Sequence, residues 1–187
     1  MTKAAWPIMK QQGYGRIIMT SSGAGIYGNF GQANYSSAKL GLVGLSNTLA
    51  IEGGRSGIHC NVIVPVAASR LTEDILPPDI MNILKPEYIA PVVAWLCHED
   101  CMENGSVIES AGGWAGKYRW QRSSGHVFES TNDSKTTTLE KIRDDWTSVV
   151  DMNNPVCGSL SSSNDATDHS NNAANLTETY LELIQVK

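Results

Sequence analysis

The stretch from Arg16 to Lys39, RIIMTSSGAGIYGNFGQANYSSAK, limits the folds open to this chain more than any other. It passes from an apolar, β-branched run through a loop of serines and glycines into a helical pattern that carries Tyr35 and Lys39. RIIMT shows no polar alternation, so it predicts a strand covered on both faces, as in a parallel sheet flanked by helices. Tyr35 and Lys39 stand four apart, on one helix face. Ser22 lies at the C-terminal end of the strand, where open α/β sheets place their ligands. The three side chains are predicted to meet at one point.

The rest of the chain supports that architecture. Residues 1 to 12 read as the last turns of an amphipathic helix with Ala4, Ala5, Ile8 and Met9 inward, closed by Gly13. Ser21 to Gln32 reads as loop, and Ala33 to Glu52 as helix, ended by Gly53-Gly54. Gly41 and Gly44 inside this helix cost roughly 1 kcal/mol each relative to alanine, so a close neighbour is expected there. Ile58 to Pro65 is a second buried strand, stopped by its proline, and a loop with Thr72, Pro77 and Pro78 follows. Pro86 to His98 reads as a helix with Pro91 inside it, and Ser106 to Ser110 as a third strand opening into a Gly-rich turn. Strands alternating with helices argue for a parallel α/β sheet.

Beyond Lys117 the pattern changes. Leu139 to Val150 predicts an amphipathic helix, residues 151 to 175 read as a Ser/Asn-rich linker, and Leu176 to Val186 as a short terminal helix. The organisation expected is one domain over residues 1–150, including a helical extension, and a tail over 151–187.

Charge and composition exclude several classes. A net charge of −5 with no dense Lys/Arg cluster argues against a nucleic-acid surface. No apolar run approaches the ~20 residues of a membrane-spanning helix. No secretory leader is visible, so the four cysteines are expected to be free thiols. Without that route the sequons at Asn104 and Asn175 carry little weight. The spacing in Cys97-His98-Glu99-Asp100-Cys101 matches no standard zinc pattern, and no metal site is expected. Trp95, Trp114, Trp120 and Trp146 are expected in a core or interface, and His126 and His169 in solvent.

The chemistry lies in Ser22, Tyr35 and Lys39. A free tyrosine titrates near 10, and a lysine cation beside it stabilises the phenolate, which makes the pair a usable acid or base. Ser22 is placed to hydrogen-bond the reacting oxygen. Gly23-Ala24-Gly25-Ile26-Tyr27-Gly28 satisfies the G-x-G-x-x-G dinucleotide pattern, but the predicted helix begins several residues later than that pattern requires. The stretch is read instead as a flexible loop bringing Ser22 to a substrate.

A serine thirteen residues before a Tyr-x-x-x-Lys pair is the pattern of the short-chain dehydrogenase/reductases, and this chain resembles that family. GRIIMTSS, GNFGQANYSSAKLGLVGLSNTLAIEG, IHCNVIVP, KPEYIAPVVAWLCHE and the GGWAGKYRWQR turn are most similar to its (3R)-hydroxyacyl-CoA dehydrogenase branch, found in peroxisomal multifunctional enzymes. The resemblance implies a Rossmann-like, doubly wound parallel sheet, of which this chain looks like the C-terminal part with the first strands missing. It also implies NAD-dependent oxidation of a (3R)-3-hydroxyacyl-CoA in peroxisomal fatty-acid β-oxidation, and a homodimer packed through the Tyr35 helix. By the same resemblance Tyr35 accepts the proton, Lys39 holds the nicotinamide ribose, and Ser22 positions the substrate hydroxyl. Asn61 and Pro65 match the family's N-x-x-x-P strand end, and Pro65 and Thr72 border the cofactor.

Two departures qualify this. Val66-Ala67-Ala68 stands where the family usually has glycine in its cofactor loop. The family's glycine-rich first turn has no counterpart ahead of Arg16, so the isolated chain is expected to be inactive as a dehydrogenase. The alternative expectation is a non-catalytic dimerisation partner. The chain ends Gln185-Val186-Lys187 rather than in an S-K-L-like address, so a peroxisomal location rests on the resemblance alone.

Overall fold

The computed structural model describes residues 1–69, 77–128, 137–153 and 155–158. The expectations for Thr72, His169, Asn175, the helix at 176–186 and most of the linker fall outside these residues. The described chain forms two compact units, one over Met1–Tyr118 and one beginning at Arg119.

The first unit is built on a four-stranded sheet. β1 (Gly15–Thr20), β2 (Ile58–Val66) and β3 (Val107–Ala111) are parallel and adjacent in that order, and β4 (Trp114–Tyr118) pairs antiparallel with β3. The fold is α/β and Rossmann-like, as expected, but the Gly-rich turn read after Ser110 is a hairpin that adds β4. Ala111 pairs with Trp114, leaving Gly112 and Gly113 as the two-residue loop with φ of 52° and 85°. Two consecutive positive φ values are what a tight hairpin matched to strand twist demands, and glycine supplies them without strain.

Helices cover the sheet. α1 spans Thr2–Gln12, α2 Gly23–Tyr27, α3 Ala33–Gly54, α4 Pro78–Ile83 and α5 Ala90–Leu96. Val43 of α3 packs with Val62, Val64 and Val107 into the core, and Met19, Ile26 and Tyr118 lie against that cluster. Each such aliphatic side chain contributes about 1.5–3 kcal/mol by leaving water.

Several elements differ from expectation for identifiable reasons. Gly13 does close α1 and Met9 is partly buried as expected, but the other partly buried residues are Thr2 and Trp6, while Ala4, Ala5 and Ile8 face solvent. The helix is rotated because Met9 and Trp6 fill the spaces over Gly15 and Gly53, where no Cβ intervenes. Proline does not stop β2, which runs on to Val66. Ile63 already accepts from Ser21, the last backbone contact with β1, so the N–H that Pro65 lacks would have pointed past the end of that neighbour. Pro91 opens α5 after a 3-10 turn at Pro86–Tyr88 instead of sitting inside one long helix. α4 was not expected, although Pro77-Pro78-Asp79 is a helix-start signal.

The second unit contains α6 (Leu139–Val149), close to its predicted bounds, with Thr138 capping the N–H of Lys141. β5 (Trp120–Arg122) pairs antiparallel with β6 (Val156–Gly158), so the segment read as linker contributes a strand. His126 is exposed, as expected, and stands 3.5 Å from Asp145 and edge-on to Phe128. Trp95, Trp114, Trp120 and Trp146 are all exposed, so none of the four is a core residue.

Candidate active site

The site is assembled where β1 ends. Ser21 N–H donates to Ile63 O at 2.9 Å and its hydroxyl donates to Lys39 O at 2.8 Å, which ties the strand end to both β2 and α3. Ser22 follows in an extended conformation, and its hydroxyl oxygen accepts the N–H of Ala24 at 3.2 Å. This is an N-cap, and it is the local reason α2 forms in a stretch that glycines would otherwise keep open. The loop expected from Ser21 to Gln32 therefore contains a helix of five residues.

Gly25 explains the glycine pattern better than nucleotide binding does. α2 lies so close to α3 that a Cβ on Gly25 would stand 2.9 Å from Lys39 Cβ and 3.0 Å from the Leu40 nitrogen. Only glycine allows that approach, so the residue serves helix packing behind the site.

Lys39 links the site together. Its ammonium donates to Thr20 O at 2.9 Å and stands 5.5 Å from the centroid of the Tyr35 ring, within cation–π range. An ammonium has three donors, so two further ones are available to a ligand. Tyr35, in the first turn of α3, is 43% exposed. The expected i, i+4 pairing is present. No hydrogen bond joins Ser22 to Tyr35 among the described residues, so the strand end and Lys39 relate the two.

The neighbouring strand ends complete the crevice. Pro65 lies opposite Ser110 at the end of β2 and is half-buried. Ala68 is buried, with its N–H donating to Leu84 O at 2.6 Å. Among the described residues no non-glycine residue has a positive φ, so Val66-Ala67-Ala68 accommodates its side chains in ordinary backbone conformations. The departure from glycine is absorbed without strain. Asn61 is fully buried and structural in its contacts, donating to Glu103 O at 2.7 Å and accepting from Ser106 N–H at 3.0 Å.

Two contacts were missed from sequence. Tyr27, an unspecified position of the glycine pattern, donates to Glu109 Oε2 at 2.7 Å and meets Tyr118 edge-on. An aromatic among small residues was the only cue. Cys60, Cys97 and Cys101 are free thiols, and Cys60 is buried on β2 and receives the Ser46 hydroxyl at 3.2 Å. Burial pushes the Cys60 thiol up from its ordinary value, partly offset by that hydrogen bond. Among the described residues no group of three His, Cys, Asp or Glu side chains is placed to hold a metal. Nor is any helix among them long and apolar enough to cross a membrane.

A parallel sheet with a capped serine at one strand end, and a Tyr-x-x-x-Lys helix folded back onto that end, defines the class. Residues 1–74 match the family model for short chain dehydrogenases. Peroxisomal multifunctional enzyme type 2 of Mus musculus is 57% identical over 154 residues, covering 82% of this chain and 21% of that protein. The solved structure of full-length peroxisomal multifunctional enzyme type 2 from Drosophila melanogaster matches with a TM-score of 0.81 at 49% identity, over 98% of this chain and 31% of that one. A short chain dehydrogenase from Mycobacterium avium matches with a TM-score of 0.60 at 32% identity, over 83% of this chain and 54% of that one. The chain thus spans less than two thirds of each of these relatives.

Proposed function

We propose that this chain carries the reacting groups of an NAD-dependent dehydrogenase that oxidises a (3R)-3-hydroxyacyl-CoA to the 3-oxoacyl-CoA in peroxisomal fatty-acid β-oxidation. The observation behind it is the position of Lys39, held between Thr20 O and the face of Tyr35 beside the Ser22 cap. In this reading Tyr35 Oη takes the proton that leaves the substrate 3-hydroxyl. Ser22 accepts the N–H of Ala24, which leaves its own proton to be directed at the substrate oxygen. The Lys39 cation offsets negative charge on the tyrosine oxygen, and its remaining donors suit ribose hydroxyls. The residues present fit NAD: two free ammonium donors, the strand end at Pro65 and the unstrained loop after it. When bound, NAD supplies the acceptor for the hydride leaving C3.

Among the described residues no glycine-rich turn cradles a pyrophosphate. The 187 residues alone are therefore expected to reduce NAD only slowly. The direct test is a chimera in which residues 1–150 replace the matching segment of the mouse relative. NADH formation from (3R)- but not (3S)-3-hydroxyacyl-CoA supports the reading. A folded chimera inert toward both overturns it.

One observation favours a second role. α3 is apolar on both sides: Val43 and Ala50 face the core, while Leu40 and Leu45 are 40% and 46% exposed. Gly41 and Gly44 have nothing within 4 Å of where a Cβ would stand, so their helix cost has no compensation inside the chain. A second copy packed on this face supplies the missing neighbour, making the chain a dimerisation partner through the Tyr35 helix. Light scattering that shows only monomer across a wide concentration range would contradict this.

A further inference from the structure

α2 has Ser22 at one end and Tyr27 at the other. At five residues it is far too short to persist by itself, and the N–H groups of Gly25 and Ile26 donate back to Ser22 O at 2.9 and 3.2 Å. Contacts with other elements must hold it. Gly25 rests on α3 at the middle of the helix. At its far end Tyr27 Oη donates to Glu109 Oε2 at 2.7 Å, and its ring meets that of Tyr118 at 6.1 Å and 77°. Glu109 belongs to β3 and Tyr118 to β4, so α2 is anchored to the opposite side of the sheet from the β1 end that carries Ser22. Tyr27 is 64% exposed, so burial of its ring does not account for its placement.

We propose that Tyr27 is a positioning residue for Ser22: its hydrogen bond to Glu109 moors the C-terminal end of α2 to β3 and so fixes the direction in which Ser22 presents its hydroxyl. The bond is charge-assisted and spans 82 residues of sequence, which makes it a tertiary tie rather than a local one. A capped helix tied only at its serine end would pivot about Gly25, carrying the cap with it. The importance of that direction rests on the role proposed for Ser22 above, whereas the mooring itself does not.

Solution NMR of the full 187-residue chain tests the mooring without any turnover. Tyr27→Phe keeps the ring against Tyr118 and removes only the hydrogen bond. In that variant and in Glu109→Leu, exchange of the Gly25 and Ile26 amides is expected to rise about fivefold, the effect of losing one net hydrogen bond. The Ser22 Hα–Hβ couplings are expected to shift from a single rotamer to an average. Glu109→Gln keeps an acceptor oxygen and should restore both signatures, and Val62 and Val64 amides should stay as protected as before. Unchanged Ser22 couplings in Tyr27→Phe would overturn the proposal, and so would a rise spread evenly over β2, which would mark a global loss of stability. An inert chimera in the dehydrogenase assay would leave this result standing, and the converse holds.

Discussion

The two ends of the same parallel strands are built on opposite principles. At the N-terminal end Asn61 and Asn104 are fully committed: Asn104 accepts from Cys60 N–H at 2.9 Å and donates to Ala50 O at 3.0 Å, while Asn61 joins Glu103 and Ser106. Both amides lock loop, strand and helix together, and that use of the Asn104 side chain leaves the sequon there a structural residue. At the C-terminal end the side chains of Ser22 and Lys39 each make one hydrogen bond, and Tyr35 is exposed. One end consumes its polar groups in holding the fold, and the other leaves side-chain donors unused among the described residues. That division is the usual one for open α/β sheets, where ligands sit outside the carboxyl ends of the strands.

Thiol labelling probes how firmly the N-terminal end is locked, and is expected to give the largest effect. Cys97 is exposed, whereas Cys60 and Cys101 are buried, Cys60 within the locked end of β2. Cys97 should react at the rate of a free thiol. Cys60 and Cys101 should lag by about a thousandfold or more, because reaction must wait for opening of the core. Comparable rates for Cys60 and Cys97 in mass-spectrometric time courses would mean that the locked end is not locked.

Substitution of Asn61 is the next test. Asn61→Ala leaves the Ser106 N–H without its acceptor and the Glu103 carbonyl without its donor, so urea unfolding should report a loss of about 2–3 kcal/mol. Ser22→Ala removes a single cap and should lose about 1 kcal/mol at most. Equal losses would erase the difference between the two ends.

The smallest effect is one of pH. The hydrogen bond to Glu109 raises the Tyr27 phenol above its ordinary value, with burial and the charge of Glu109 acting in the same direction and a smaller push from Tyr118. Because the folded state favours the protonated phenol, this contribution is complete below about pH 10 and fades as the pH rises through the raised value. Protection of the α2 amides should therefore hold through neutral and mildly alkaline pH and fall only beyond that range. Loss of protection near neutrality would contradict the assignment of the phenol as donor.

What could be read from sequence follows the reach of each signal. β1, α3 and β2 were legible because buried parallel strands are continuous apolar runs and α3 begins and ends in recognisable residues. Tyr35 and Lys39 were legible because four residues make one helical turn. The role of Gly25 was not, since it depends on a neighbour fourteen residues away, Lys39, whose backbone approach no pattern records. The same holds for Tyr27, whose partner Glu109 lies across two crossovers. β4 was missed although Gly112-Gly113 flanked by β-prone residues is a hairpin signal. The inward face of α1 was misread because its contacts are the gaps over Gly15 and Gly53, which depend on tertiary packing.

The central claim is that Tyr35, tied through Lys39 to the end of β1, does chemistry and not packing. The most direct measurement is NADH formation by the mouse chimera carrying Tyr35→Phe, with its urea midpoint recorded in parallel. A proton acceptor at this position predicts a fall in kcat of about 10²–10⁴-fold with the midpoint unchanged, since Tyr35 is 43% exposed and the substitution keeps its ring. Undiminished turnover, or a loss of activity that merely tracks a loss of stability, would contradict it.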